Sequence, residues 1–195
     1  MTNAGESWRL FVAFEVPDHV LEILARLQEE LRQRGLSSLR WVQPTGIHLT
    51  LKFLGQTPVE RLQGIQEALR VAVVGHQAVT LRLGNLGRFG DSRGARVIWV
   101  DLAGDVASVA SIQEKLEGVL QTLGFVKEAR PFAPHLTLAR VRPEDVRRLR
   151  EPIMKALAET KVEGETFTLE RLSLIRSVLG SAGAVYTQVT AAPLD

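Results

Sequence analysis

The spacing of apolar positions divides the chain into short strands and amphipathic helices. Arg9-Leu10-Phe11-Val12-Ala13-Phe14-Glu15-Val16 is a brief, nearly continuous apolar run with β-branched and aromatic residues, the pattern of a buried strand. Pro17-Asp18 opens a helix reaching Arg34, with Val20, Ile23, Leu24, Leu27 and Leu31 on one face and Gly35 as its stop. Trp41 and Val42 start a further strand before the break at Pro44-Thr45-Gly46. A second helix spans 58–74, with Leu62, Ile65, Leu69 and Val73 turned inward. Residues 78–83 alternate as a strand. The stretch 84–94 carries Gly84, Gly87, Gly90 and Gly94 and reads as a loop or irregular hairpin, and 96–102 is again a strand. A third helix covers 105–123, its apolar positions Val106, Val109, Ile112, Leu116, Val119 and Leu123 in register and Gly124 behind it. Pro143 begins a last helix that Pro152 interrupts and that resumes to Glu159. Residues 166–178 form a long strand, 180–183 a turn and 184–190 its hairpin partner.

One tetrapeptide occurs twice between these elements. His48-Leu49-Thr50-Leu51 runs on as Lys52-Phe53-Leu54 before Gly55, and His135-Leu136-Thr137-Leu138 follows the rigid lead-in Arg130-Pro131-Phe132-Ala133-Pro134. Successive side chains of a strand point to opposite faces, so each copy puts its histidine and threonine on one face and two leucines on the other. The surroundings repeat as well. Strand 9–16, helix 18–34 and the first motif match strand 96–102, helix 105–123 and the second, and another helix follows each copy. This implies two similar α+β lobes within one bilobal domain spanning residues 1–195, related by an approximate two-fold axis that sets His48 and His135 on opposite walls of one cleft.

Composition narrows the chemistry. The chain is 45% hydrophobic and 24% charged, average for a soluble globular protein. It has no cysteine, which excludes disulfides, thiolate nucleophiles and cysteine-bound zinc. The net charge is only +2, mildly permissive of nucleic acid. The first residues lack a basic segment followed by an apolar one, and no apolar run approaches the ~20 residues of a membrane span, so a cytoplasmic protein is the expectation.

Two histidines across a cleft suit general acid–base catalysis, because an unperturbed pKa near 6.5 lets one ring be neutral while the other is protonated. The matching reaction takes a proton from a nucleophile and delivers one to a leaving group in line with it, as phosphodiester hydrolysis requires. Thr50 and Thr137 could donate to the non-bridging phosphate oxygens, and no metal or other cofactor is called for. A bis-histidine metal site fits poorly, since neither motif offers a carboxylate on its polar face. His19 and His76 stand alone near helix ends and read as solvated surface.

The paired motifs, the opening Arg9-Leu10-Phe11-Val12-Ala13, the strand Arg96-Val97-Ile98-Trp99 and the closing Leu172-Ser173-Leu174-Ile175-Arg176-Ser177 resemble the two-histidine phosphoesterase superfamily. Within it the chain is similar to the RNA 2′,3′-cyclic phosphodiesterases, also called 2′-5′ RNA ligases. The resemblance implies a bilobal α+β fold with antiparallel strands lining the cleft. It implies that His48 is the acid protonating the ribose 3′-oxygen, that His135 is the base activating water, and that the product is a 2′-phosphomonoester. Thr50, Thr137 and Arg140 would hold the phosphate. Arg140 lies at an odd offset from His135, so it reaches that face only where the strand ends or bulges near Ala139. Lys52 has the even parity to face the cleft or to stand exposed at the strand end. Phe14, Trp41 and Phe132 read as core residues near the cleft that could also meet a base, and Arg88, Arg93 and Arg96 as a basic loop within reach of an RNA backbone. The implied partners are RNA ends bearing a 2′,3′-cyclic phosphate, tRNA fragments among them, with no membrane, acting on a monomer. Hydrolysis of 2′-5′ linkages, ligation of tRNA halves and a non-catalytic RNA-end-binding module are the competing readings.

Overall fold

Antiparallel pairing sorts the strands of the chain into two sheets. The computed structural model describes residues 5–180 and 183–195. In chain order its main elements are β1 (Ser7–Glu15), α1 (Asp18–Leu31), β2 (Arg40–Trp41), β3 (His48–Pro58), α2 (Leu62–Val73), β4 (Val79–Asp91) and β5 (Gly94–Gly104). There follow α3 (Val106–Thr122), β6 (His135–Arg140), α4 (Arg150–Glu159), β7 (Thr166–Leu169), β8 (Arg171–Gly180) and β9 (Gly183–Pro193). One sheet has the order β3-β1-β8-β9 and the other β2-β6-β5-β4-β7. The fold is α+β and bilobal. The repeat is visible in it, because β1-α1-β3 and β5-α3-β6 each place a motif strand beside the strand that precedes its helix.

The helices bury most of the marked stripes, Val20, Leu24, Leu27 and Leu31 of α1 and Val109, Ile112 and Leu116 of α3, where Leu120 is buried as well and Val106, Val119 and Leu123 only half so. These meet the inner leucines of the motifs, Leu49, Leu51, Leu136 and Leu138, in one connected core. Burying each such leucine contributes roughly 1.5–3 kcal/mol. The helices α2 and α3 pack on each other, α2 against β8 and β9 and α3 against β3 and β4.

Two sequence expectations, at Pro152 and over 166–178, need correction. Residues 84–94 take the hairpin reading rather than the loop: β4 runs to Asp91, turns, and pairs with β5 from Gly94 onward through two bulges. Glycine is required there because neighbours lie flat on the backbone. A Cβ on Gly87 would sit 2.1 Å from the Trp99 ring, and one on Gly90 would sit 2.1 Å from the Gly94 carbonyl oxygen. Pro152 does not interrupt a helix. It occupies the first turn of α4, where no intrahelical donor is lost. The strand expected over 166–178 is two, since the chain leaves one sheet after Leu169 and joins the other at Arg171. The helix begun by α1 continues past Leu31 in a wider turn, and Gly35 (φ 91°) stops it where the sequence placed the stop. The turn expected at 180–183 includes residues 181 and 182, which lie outside the described residues.

Candidate active site

Both motif strands carry a bulge at the same point. On β3 the register with β1 passes from Ala13↔Thr50 to Val12↔Lys52, leaving Leu51 as the extra residue. On β6 the register with β5 passes from Trp99↔Thr137 to Ile98↔Ala139, leaving Leu138 extra. An extra residue flips the alternation beyond it. Leu51 and Lys52 are therefore both buried, as are Leu138 and Ala139, and Phe53 and Arg140 return to the face that carries the histidine and threonine. The bulge near Ala139 is what brings Arg140 to the cleft. It also corrects the reading of Lys52 as an exposed strand-end residue: Lys52 borders the cavity but turns its charged end into the protein. Lys52 is 8% exposed and its Nζ donates to Glu117 Oε2 at 2.8 Å.

Each imidazole is anchored through the backbone two residues before it. His135 Nδ1 lies 2.7 Å from the Ala133 carbonyl oxygen. A carbonyl only accepts, so Nδ1 carries the proton and Nε2 is the nitrogen left for chemistry. Gly46 is the backbone hydrogen-bond partner of His48 at the same offset. The rings differ in their neighbours. His48 stacks on Phe11, centroids 4.5 Å apart and planes 27° apart, and meets the edge of Tyr186 at 5.2 Å. His135 meets Phe89 edge-on at 4.8 Å, with Trp99 behind it at 6.2 Å.

These apolar walls set the charge state. Burial pushes the His48 imidazole down to about 4, with the Gly46 hydrogen bond opposing. Burial also lowers His135, the Ala133 bond opposing and the Arg140 charge adding to the decrease. Both rings are therefore neutral near pH 7 in the free protein.

The two strands face one cavity of about 1240 Å³, lined by His48, Thr50, His135, Thr137 and Arg140 among others. Its walls are unequal. Phe11, Phe53, Leu179 and Tyr186 line the His48 side, whereas Arg88, Arg96, Arg130 and Arg140 line it elsewhere. The equivalent register positions show this asymmetry, Phe11 facing Phe53 in one sheet and Val97 facing Arg140 in the other.

Of the three aromatics marked in the sequence, only Phe132 lines the cavity. Phe14 is fully buried in the core, and Trp41 is half-buried, its Nε1 donating to the Leu36 carbonyl at 3.2 Å and its ring under Arg32. Sequence reasoning missed Phe11, Phe89, Trp99 and Tyr186. The parity of β1 carried a signal for Phe11, which with Ala13 and Ile175 forms a small cluster apart from the main core. Arg88 and Arg96 reach the cavity, and Arg96 shares Asp91 (3.0 Å) with Arg93 at the hairpin tip (2.6 Å). His19 and His76 lie outside it: His19 is exposed, 3.8 Å from Glu165, and His76 is half-buried beyond the end of α2.

A family model described as the 2'-5' RNA ligase superfamily matches residues 16–180. The chain belongs to this superfamily. Relatives of this superfamily member include the RNA 2',3'-cyclic phosphodiesterase of Methanocaldococcus jannaschii, 30% identical over 179 residues that cover 91% of this chain and 96% of the relative. The Archaeoglobus fulgidus protein of the same name is 31% identical over 184 residues, covering 91% and 96%. Among solved structures, TT0787 of Thermus thermophilus superposes with a TM-score of 0.76 at 26% identity, covering 95% of this chain and 97% of that one. E. coli LigT in its apo form shares the fold of this superfamily member, with a TM-score of 0.72 at 21% identity over 97% and 99% of the two chains. No helix is long and apolar enough to cross a membrane.

Proposed function

We propose that the chain is a metal-independent RNA 2′,3′-cyclic phosphodiesterase in which His48 and His135 act as acid and base. The names of its relatives support the substrate class. The observation that carries the mechanism is the pair of imidazoles lining one cavity with two threonines and Arg140, His135 with its Nδ1 committed to the Ala133 carbonyl and His48 held by the Gly46 backbone.

The step balances as follows. Water attacks phosphorus while His135 Nε2 takes its proton; the P–O3′ bond breaks and His48 Nε2 gives its proton to O3′. The product is a 2′-phosphomonoester with a free 3′-hydroxyl, and solvent returns both rings to their starting states. Thr50 and Thr137 hold the non-bridging oxygens, and Arg140 adds charge and a planar fork of donors. His48 is neutral in the free protein, so it takes a proton from solvent as the substrate binds: an anionic phosphodiester beside the ring favours the imidazolium.

Replacing either histidine by alanine is expected to lower turnover by roughly 10²–10⁴-fold with the fold intact, and EDTA to leave the rate unchanged. Product analysis on a cyclic-phosphate oligonucleotide should find the 2′-phosphate. Tight binding of that end without turnover, or near-normal activity in either alanine variant, would overturn the proposal.

A further inference from the structure

Two buried polar groups beneath the motif strands have no place in the reaction and sit at equivalent points of the repeat. The buried positions of α1, Val20, Leu27 and Leu31, recur in α3 as Val109, Leu116 and Leu120. In that alignment Gln28, fully buried, falls on Glu117, 2% exposed. Their contacts correspond too.

Gln28 uses both hydrogens of its amide, donating from Nε2 to the Val42 carbonyl at 2.8 Å and to the Leu138 carbonyl at 3.0 Å. Leu138 is the bulge residue of the second motif. Val42 belongs to the lead-in of the first motif, a few residues before the Gly46 backbone that holds His48. Glu117 completes the reverse connection. Its Oε2 accepts from Lys52 Nζ at 2.8 Å and from the Glu128 N–H at 3.4 Å, and Lys52 Nζ donates again to the Val126 carbonyl at 2.6 Å. Lys52 sits at the bulge of the first motif. Val126 and Glu128 belong to the lead-in of the second, which continues to the Ala133 carbonyl that holds His135.

We propose that Gln28 and the Lys52–Glu117 pair are positioning residues, two equivalent cross-ties that each fix the bulge of one motif to the lead-in of the other and so set the two imidazoles relative to each other. Stability alone does not account for them. A buried lysine–glutamate pair is often replaceable by apolar side chains with no loss of stability or with a gain. Reaction in line at phosphorus does need a fixed spacing between acid and base, and a displacement of about 1 Å can cost on the order of 10²-fold in rate.

This rests on the two-histidine hydrolysis proposed above. The test is the double variant K52M/E117L, which removes the tie and leaves no buried charge unpaired, alongside Gln28→Met on the other helix. The expected result is an unchanged or raised melting temperature for K52M/E117L and a lowered one for Gln28→Met, which leaves the Val42 carbonyl without its amide donor; in both, KM stays within about twofold of the parent and kcat falls roughly 10–100-fold. Should the double variant not fold, Gln28→Met alone decides. Wild-type kcat in a folded variant, or a rise in KM at constant kcat, would overturn the assignment. His48→Ala and His135→Ala are measured beside them: if these remain active, the hydrolytic reading fails, and if they are dead while the cross-tie variants are normal, only the positioning role does.

Discussion

The wall that Phe11 builds against His48 gives that histidine its low proton affinity, and one substitution can test the link. Burial is the largest cause of the decrease to about 4, so Phe11→Ala, which admits water to the ring, is expected to raise the His48 pKa toward its ordinary 6.5, as read by NMR titration of the imidazole. The pH dependence follows with its sign. On the proposed mechanism the acid must be protonated and the base neutral in the free enzyme, so kcat/KM should have its maximum below neutrality and fall as pH rises past it. With phosphate bound the acid holds its proton longer, so the alkaline limb of kcat should lie at higher pH than that of kcat/KM. Arg140→Ala removes the charged donor proposed to meet the phosphate, and kcat/KM should drop roughly 10–100-fold, the equivalent of about 1.5–3 kcal/mol. The histidines and threonines were legible at this scale because parity and repetition both pointed to them. Lys52 was not: sequence spacing alone cannot show the extra residue at Leu51 that turns its side chain into the protein.

At the scale of elements, helices were easier to read than strands. A 3.6-residue stripe of leucines and valines announces its own buried face, and α3 runs within a residue of the expected 105–123. The β4–β5 hairpin could be read only as a loop or an irregular hairpin because its glycines mark flat contacts made by the neighbouring strand, a tertiary fact that local pattern does not encode. Gly87 tests this. Alanine there would push against the Trp99 ring, which stands behind His135, so Gly87→Ala should destabilise the fold by about 1–3 kcal/mol in denaturant unfolding and lower turnover in the surviving folded protein. A loop would tolerate the change.

For the molecule as a whole, the duplication was visible in the order of elements, whereas the inequality of the two walls was not. The apolar wall draws Phe53 from β3 and Leu179 and Tyr186 from the β8–β9 hairpin, and the basic side draws Arg88, Arg96 and Arg130 from segments distant in sequence. Charge spread over such a side acts on a chain of phosphates more than on one. KM for a cyclic-phosphate oligonucleotide should therefore rise with salt, and the double variant R88A/R130A should weaken the oligonucleotide while leaving a mononucleoside 2′,3′-cyclic phosphate almost unaffected. Equal effects on both substrates would show that these arginines contact only the reacting end.

The interior position of β1 bears on how the protein is made. β1 lies between β3 and β8, with Leu10 paired to Arg176 and Phe14 to Leu172, so a strand that precedes His48 is completed by one that follows His135. During translation the sheet that carries His48 keeps an unpaired edge until β8 has left the ribosome. Pairings this far apart in sequence fold slowly and together. A nascent chain that already contains both histidines is thus expected to remain inert toward a cyclic phosphodiester until β8 has been added.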